Sequence, residues 1–174
     1  MILDSEVFQI GVIRKPHGVK GEVSFSFNDD VFDRTECEYL IVRVDGILVP
    51  FFFEEYRFRS DNAAIVKFEG IDNVESARRL TNAPVFFPIK LVPDDDEQVS
   101  WSFFIGMHAD DVRYGSLGTI VDVDDSTINV LFVIQSDSGK EILIPANEAF
   151  IADIDRENRT VSFKTPDGLL NINK

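Results

Sequence analysis

Leu40-Ile41-Val42-Arg43-Val44-Asp45-Gly46-Ile47-Leu48-Val49-Pro50-Phe51-Phe52-Phe53 sets two runs of β-branched and aromatic residues on either side of Asp45-Gly46. That dipeptide tolerates the positive φ angles of a two-residue turn, so the stretch predicts strands over Leu40 to Val44 and Ile47 to Phe53. The same pattern continues outward. Upstream, Val23-Ser24-Phe25-Ser26-Phe27 alternates apolar and small polar residues with the period of two that a strand with one buried face requires. Downstream, Ala64 to Phe68 is a further apolar run. Periodicity then changes. Asp72-Asn73-Val74-Glu75 has the form of an N-cap with a carboxylate three residues on, and Ala77 and Leu80 follow at helical spacing, so one short helix is predicted over 73–80.

Pro84, Pro88 and Pro93 fall close together, and Asp94-Asp95-Asp96-Glu97 follows without an apolar partner. Proline lacks a ladder donor and the acidic run repels itself into solvent, so a joint is predicted here. Beyond it the β pattern resumes over Gly118 to Val123, Ile128 to Ile134, Glu141 to Ile144, Ile151 to Ile154 and Thr160 to Lys164. Short, evenly spaced strands suit closed sheets, which have no exposed edge. The reading is all-β: two small β-barrels joined by a short linker, with one short helix in the first domain. Residues 1–90 form the first barrel, 91–98 the acidic linker and 99–174 the second barrel.

Charge narrows the function classes. The 174 residues carry 17 Lys and Arg against 31 Asp and Glu, a formal charge of −14, which excludes a generic nucleic-acid coat. Residues 1–90 hold 11 basic and 15 acidic groups, net −4; residues 91–174 hold 6 and 16, net −10. The longest uncharged stretch, Gln98 to Ala109, is far below the roughly 20 residues of a membrane-spanning helix. The opening Met1-Ile2-Leu3-Asp4-Ser5-Glu6 has no basic start or apolar core of a signal peptide, and with Cys37 as the sole cysteine a cytoplasmic setting is expected.

Chemistry has few footholds. Two His and one Cys give no ligand cluster, so neither a metal nor a cofactor is expected. Cys37 lies between Glu36 and Glu38, whose charge opposes thiolate formation. The pairs Asp29-Asp30 and Asp110-Asp111 read as solvated loop carboxylates rather than acid and base. No phosphate-binding or dinucleotide-binding glycine pattern is present.

One segment departs from the acidic background: Gly11-Val12-Ile13-Arg14-Lys15-Pro16-His17-Gly18-Val19-Lys20-Gly21-Glu22-Val23. Arg14, Lys15, His17 and Lys20 crowd into a span shaped by a proline and glycines, which predicts a basic loop between strands. It either faces phosphate or an acidic partner, or it is an ordinary turn with solvated charges.

This segment resembles the opening signature of the ribosome maturation factor RimM family: a glycine, a variable basic patch, then His-Gly-x-x-Gly-Glu-Val. Gly11, His17, Gly18, Gly21, Glu22 and Val23 match it. The likeness continues through Phe68-Glu69-Gly70-Ile71-Asp72 with Glu75, Ala77 and Leu80, then Ile105-Gly106-Met107, Gly115 to Ile120, Leu143-Ile144-Pro145 and Pro166 to Leu170. Six pieces in order span nearly the whole chain.

The resemblance implies an N-terminal six-stranded barrel similar to those of translation factors and a C-terminal barrel of the PRC type. It implies a non-catalytic, monomeric assembly factor that binds the immature small ribosomal subunit through small-subunit ribosomal protein nineteen and promotes processing of its rRNA. An acidic second half would attract a basic ribosomal protein, leaving the Arg14 to Lys20 loop, with Gly18, Gly21 and Glu22, to face nearby rRNA or to serve as a structural turn. Many members place adjacent tyrosines before the second barrel, where this chain reads Val99-Ser100-Trp101-Ser102-Phe103-Phe104. Trp101, Phe103 and Phe104 are therefore the candidate contacts to the ribosomal protein, with Trp101 and Phe103 expected on one face of a strand; the other reading is that they fill the second core. Two alternatives stay open: a barrel adaptor for another basic protein, and an enzyme with His17 as general base, which lacks partner groups.

Overall fold

The computed structural model describes residues 1–172. Two units divide the chain, Met1–Ser100 and a second that begins at Trp101. In the first, β1 (Val7–His17), β2 (Glu22–Phe27), β3 (Tyr39–Val44), β4 (Ile47–Ser60), β5 (Ala63–Phe68) and β6 (Pro84–Pro88) close into an antiparallel barrel in the order β1-β2-β5-β4-β3-β6. The β3–β4 hairpin turns on Asp45 and Gly46, at φ 50° and 79°, as the dipeptide predicts.

Two helical segments, α1 (Val31–Arg34) and α2 (Val74–Arg78), complete this unit. The helix expected over 73–80 is α2, and its cap is Asn73, whose side chain accepts from Ser76 N at 2.8 Å. A second helical turn, α1, was not foreseen: four residues without periodicity leave no sequence signal. It inserts Phe32, wholly buried, among Phe25, Phe27, Phe53, Tyr56 and Phe58 at ring separations of 5.4–6.1 Å. Much of the first unit's phenylalanine thus gathers around Phe32, while Phe103, Phe104, Phe132 and Phe163 pack together in the second unit.

Three expectations in this region are corrected. The basic segment is not a loop throughout: Arg14 to His17 continue β1, and only Gly18 to Gly21 turn. Pro84 and Pro88 do not obstruct a sheet, because they occupy the first and last positions of β6, where the missing donor is tolerated. Nor does the acidic run simply extend into solvent. Asp94, Asp95 and Glu97 are exposed, but Asp96 accepts from Arg34 at 2.8 Å, and Arg34 also pairs with Asp29 and Asp30.

The second unit holds β7 (His108–Asp111), β8 (Gly115–Asp124), β9 (Leu131–Gln135), β10 (Glu141–Pro145), β11 (Ile151–Asp155) and β12 (Thr160–Phe163), followed by α3 (Leu169–Ile172). Ladder bonds order them β10-β9-β8-β7-β12-β11, antiparallel except for β12 beside β7. Its core joins Phe103, Phe104, Met107, Ile120, Phe132, Ile134 and Phe163. Strand β9 starts three residues later than expected, and Ile128 stands almost fully exposed in the preceding loop. Counted by these units, residues 1–100 hold 11 basic and 19 acidic groups, net −8, and residues 101–174 hold 6 and 12, net −6. The acidity is therefore shared, because the run at Asp94 to Glu97 belongs to the first unit.

Candidate functional site

The β1–β2 hairpin presents the basic segment. His17 faces Glu22, Pro16 faces Val23 and Lys15 faces Ser24, after which the register slips so that Ile13 faces Phe25. Arg14 is the extra residue of this bulge. A bulge interrupts strict alternation, and here it leaves Arg14 and Lys15, consecutive in the chain, both exposed. Lys20 is exposed in the turn and His17 is half-buried.

The two glycines of the turn play different parts. Gly18 has φ 64° with open space around it, so backbone geometry alone demands glycine there. Gly21 has φ 86° and is buried; a Cβ would sit 1.8 Å from the carbonyl oxygen of Ile71. Its close approach is to the protein's own chain, which clamps the turn to the segment before α2. Lys67 fixes that segment from beneath, donating to the Ile71 carbonyl at 2.6 Å, to Asp72 at 2.9 Å and to Glu54 at 3.4 Å. Burial works against its charge, yet Asp72 and Glu54 outweigh burial and raise its pKa.

Glu22 faces across the sheet rather than outward as a free acid. Arg57 of β4 reaches it with two bonds, 2.5 and 3.3 Å. The hydrogen bond from Arg57, with that guanidinium's charge, holds the Glu22 carboxyl below its ordinary value and outweighs the desolvation that would raise it.

In the second unit the expected strand at Trp101 is a 3-10 turn, Trp101–Phe104. The tighter winding separates the rings that alternation would have aligned. Phe103 and Phe104 are buried in the core, whereas Trp101 is half-buried, edge-on to Phe132 at 5.6 Å and tilted on Phe104 at 5.9 Å. Arg159 secures the turn, donating to the carbonyls of Phe103 at 3.2 Å and Ile105 at 2.8 Å with its guanidinium over the Phe103 ring; burial lowers its pKa. Nothing in the local sequence around Arg159 signals this role, which joins residues 54 and 56 positions apart.

The carboxylate pairs are not what they seemed. Asp29 and Asp111 are buried structural acceptors, while Asp30 and Asp110 remain partly exposed. Asp111 takes backbone N–H bonds from Arg113, Tyr114 and Thr165 and one from the Thr165 hydroxyl. Cys37 has a raised pKa, chiefly from burial and only secondarily from Glu38. His108 Nε2 lies 3.0 Å from Ser116 Oγ and 3.1 Å from Asp110, but both meet the same ring nitrogen, so the three cannot relay a proton as nucleophile, base and orienting acid. Among the described residues no group of three or more His, Cys, Asp or Glu could hold a metal ion.

Two family models match the chain: the RimM N-terminal domain over residues 8–91 and the RimM PRC barrel domain over residues 101–169. A ribosome maturation factor RimM of Phocaeicola vulgatus is 56% identical over 173 residues, covering 98% of this chain and 100% of that protein. One from Bacteroides thetaiotaomicron is 51% identical, covering 99% and 97%. The solution structure of the N-terminal domain of RimM from Thermus thermophilus aligns with 50% of this chain and 94% of its own at 21% identity and a TM-score of 0.41.

Proposed function

Since this chain belongs to the RimM family, we propose that it acts in ribosome maturation, as a non-catalytic factor that holds an immature small subunit through a head ribosomal protein while its rRNA is processed. The observation that carries this reading is family likeness along the whole chain, through both units. The partner protein is taken to be small-subunit ribosomal protein nineteen, and the factor to work as a cytoplasmic monomer.

Physical features agree with a division of labour. Ribosomal proteins are basic because they neutralise RNA, and a chain of net charge −14 attracts them at long range. Since the two units carry similar charge, attraction by itself does not select between them. Trp101 does: it is half-buried in the second unit on a turn braced by Arg159, where a rigid amphipathic ring can anchor an interface. Phe103 and Phe104 act beneath it as packing. Arg14, Lys15 and Lys20, exposed at the hairpin, face adjacent rRNA.

Co-sedimentation with immature small, mature small and large subunits at two salt concentrations tests the proposal. Retention on immature small subunits that fades as salt rises is the expected result. Trp101→Ala, with the protein shown to be folded, should weaken that retention. Absence from all subunits, with the protein folded, overturns the reading and favours the adaptor for another basic protein.

A further inference from the structure

Acids outnumber bases almost two to one in this chain, so an unpaired cation is one the fold has kept away from them. In the first unit Arg34, Arg43, Arg57 and Lys67 are ion-paired. Arg14, Lys15, Lys20, Arg78 and Arg79 are exposed and make no ion pair among the described residues. The last two lie 51 and 52 residues beyond Phe27, the end of the hairpin (78 − 27 and 79 − 27), yet the fold brings them to it.

Helix α2 is fastened along the hairpin at both ends. Before it, the Ile71 carbonyl closes on Gly21. After it, Asn82 N donates to the Ile13 carbonyl at 2.8 Å and Ile13 N donates to that of Ala83 at 3.0 Å, next to the bulge at Arg14. Ala77 and Leu80 turn into the core, leaving Arg78 and Arg79 outward. Two acids at this edge are engaged by other cations, Glu22 by Arg57 and Asp72 by Lys67. Glu75 is exposed one turn before Arg79 and forms no ion pair with it. The other unpaired cations of the unit lie elsewhere. Arg59 precedes the β4–β5 connection and Lys90 follows the end of β6 that pairs with Val7.

We propose that α2 and the β1–β2 hairpin form one cationic edge, with Arg78 and Arg79 as full members, that grips the sugar-phosphate backbone of folded RNA without reading base sequence. This deepens the proposed function and rests on it. Charge of one sign, presented from a rigid hairpin and a docked helix, matches phosphate. The only large apolar residue exposed in the hairpin turn is Val19, and no exposed aromatic residue stands among the five cations to stack on bases. Contacts of this kind position a protein on RNA and carry no sequence information.

The test is fluorescence anisotropy of the full chain with two labelled RNA hairpins of unrelated stem sequence and with a polyglutamate peptide, across a salt series. Both hairpins should bind alike. Each phosphate contact contributes roughly 0.7–0.9 to the slope of log affinity on log salt, so R78Q/R79Q should lower that slope by about 1.4–1.8. R78K/R79K should keep it, and R59Q should leave it unchanged. An unaltered slope in R78Q/R79Q, a tenfold preference between hairpins, polyglutamate binding as tight as RNA, or no RNA binding at any salt would each overturn the proposal. Should R78Q/R79Q still co-sediment normally with immature subunits while the slope stays unaltered, the edge alone is wrong. Should the wild-type chain bind RNA as described yet no subunit, the maturation reading is what fails.

Discussion

The carboxylate of Asp29 accepts a 2.7 Å hydrogen bond from the backbone N–H of Ser100, 71 residues further on and the last residue of the first unit. Asp29 is 3% exposed, and its other oxygen accepts from Val31 N and Arg34. Arg34 in turn holds Asp96, so the segment ending the first unit is tied at two points. Arg34 keeps Asp30 and Asp96 when Asp29 is removed, but the Val31 and Ser100 amides lose their charged acceptor, at a cost of about 1–3 kcal/mol for each buried donor left unmet. Asp29→Ala should therefore lower urea stability strongly and expose the Ser100 amide to hydrogen exchange, whereas Asp30→Ala should do neither. Unchanged Ser100 protection in Asp29→Ala would disprove the tie.

Phe32 plugs one aromatic cluster from a helical turn of only four residues. Truncating a buried phenylalanine removes its transfer energy and leaves a cavity, so Phe32→Ala should destabilise the first unit by about 3–5 kcal/mol. Phe32→Leu, which fills most of the space, should cost clearly less. The two are compared by the midpoint of denaturant unfolding.

The hairpin glycines separate two causes of strain. Gly18→Ala meets only an unfavourable φ and should cost about 1 kcal/mol. Gly21→Ala meets the same penalty and a backbone oxygen that cannot move aside, because Lys67 holds it. It should be several times more damaging in thermal unfolding; equal effects would show that the clamp yields.

Asp111 gives the second unit a dependence on acid. Burial would raise its pKa, but four hydrogen bonds, led by that from the Arg113 amide, outweigh burial and hold it below the ordinary value of 3.8. The unfolded chain then binds the proton more readily than the native one. The stabilisation is complete above the unfolded value and disappears as pH falls through the lower, folded one. Acid unfolding followed by Trp101 emission should show this loss, and Asp111→Asn should flatten it while reducing stability near neutral pH.

Patterns local in the chain were readable in advance. Period-two alternation marked β2, Asp45-Gly46 marked the β3–β4 turn, and a capped helical spacing marked α2, because each depends on residues a few positions apart. The basic hairpin was visible for the same reason, as was the motif run that pointed to the family. What remained hidden depended on distant partners. Pro84 and Pro88 looked like strand breakers until β6 placed them at its ends, and Trp101-Ser102-Phe103 looked like a strand until a 3-10 turn gave Phe103 to the core and left Trp101 half outside. Asp29 and Asp111 looked solvated because a carboxylate's burial is decided by the donors that close around it, and Ser100 and Thr165 arrive from 71 and 54 residues away. The cationic edge follows the same rule. Sequence by itself marked the strands whose pattern is local, β2 to β5 among them, and showed that Arg14, Lys15 and Lys20 cluster, whereas only barrel closure, by docking α2 between Gly21 and Ile13, brought Arg78 and Arg79 beside them.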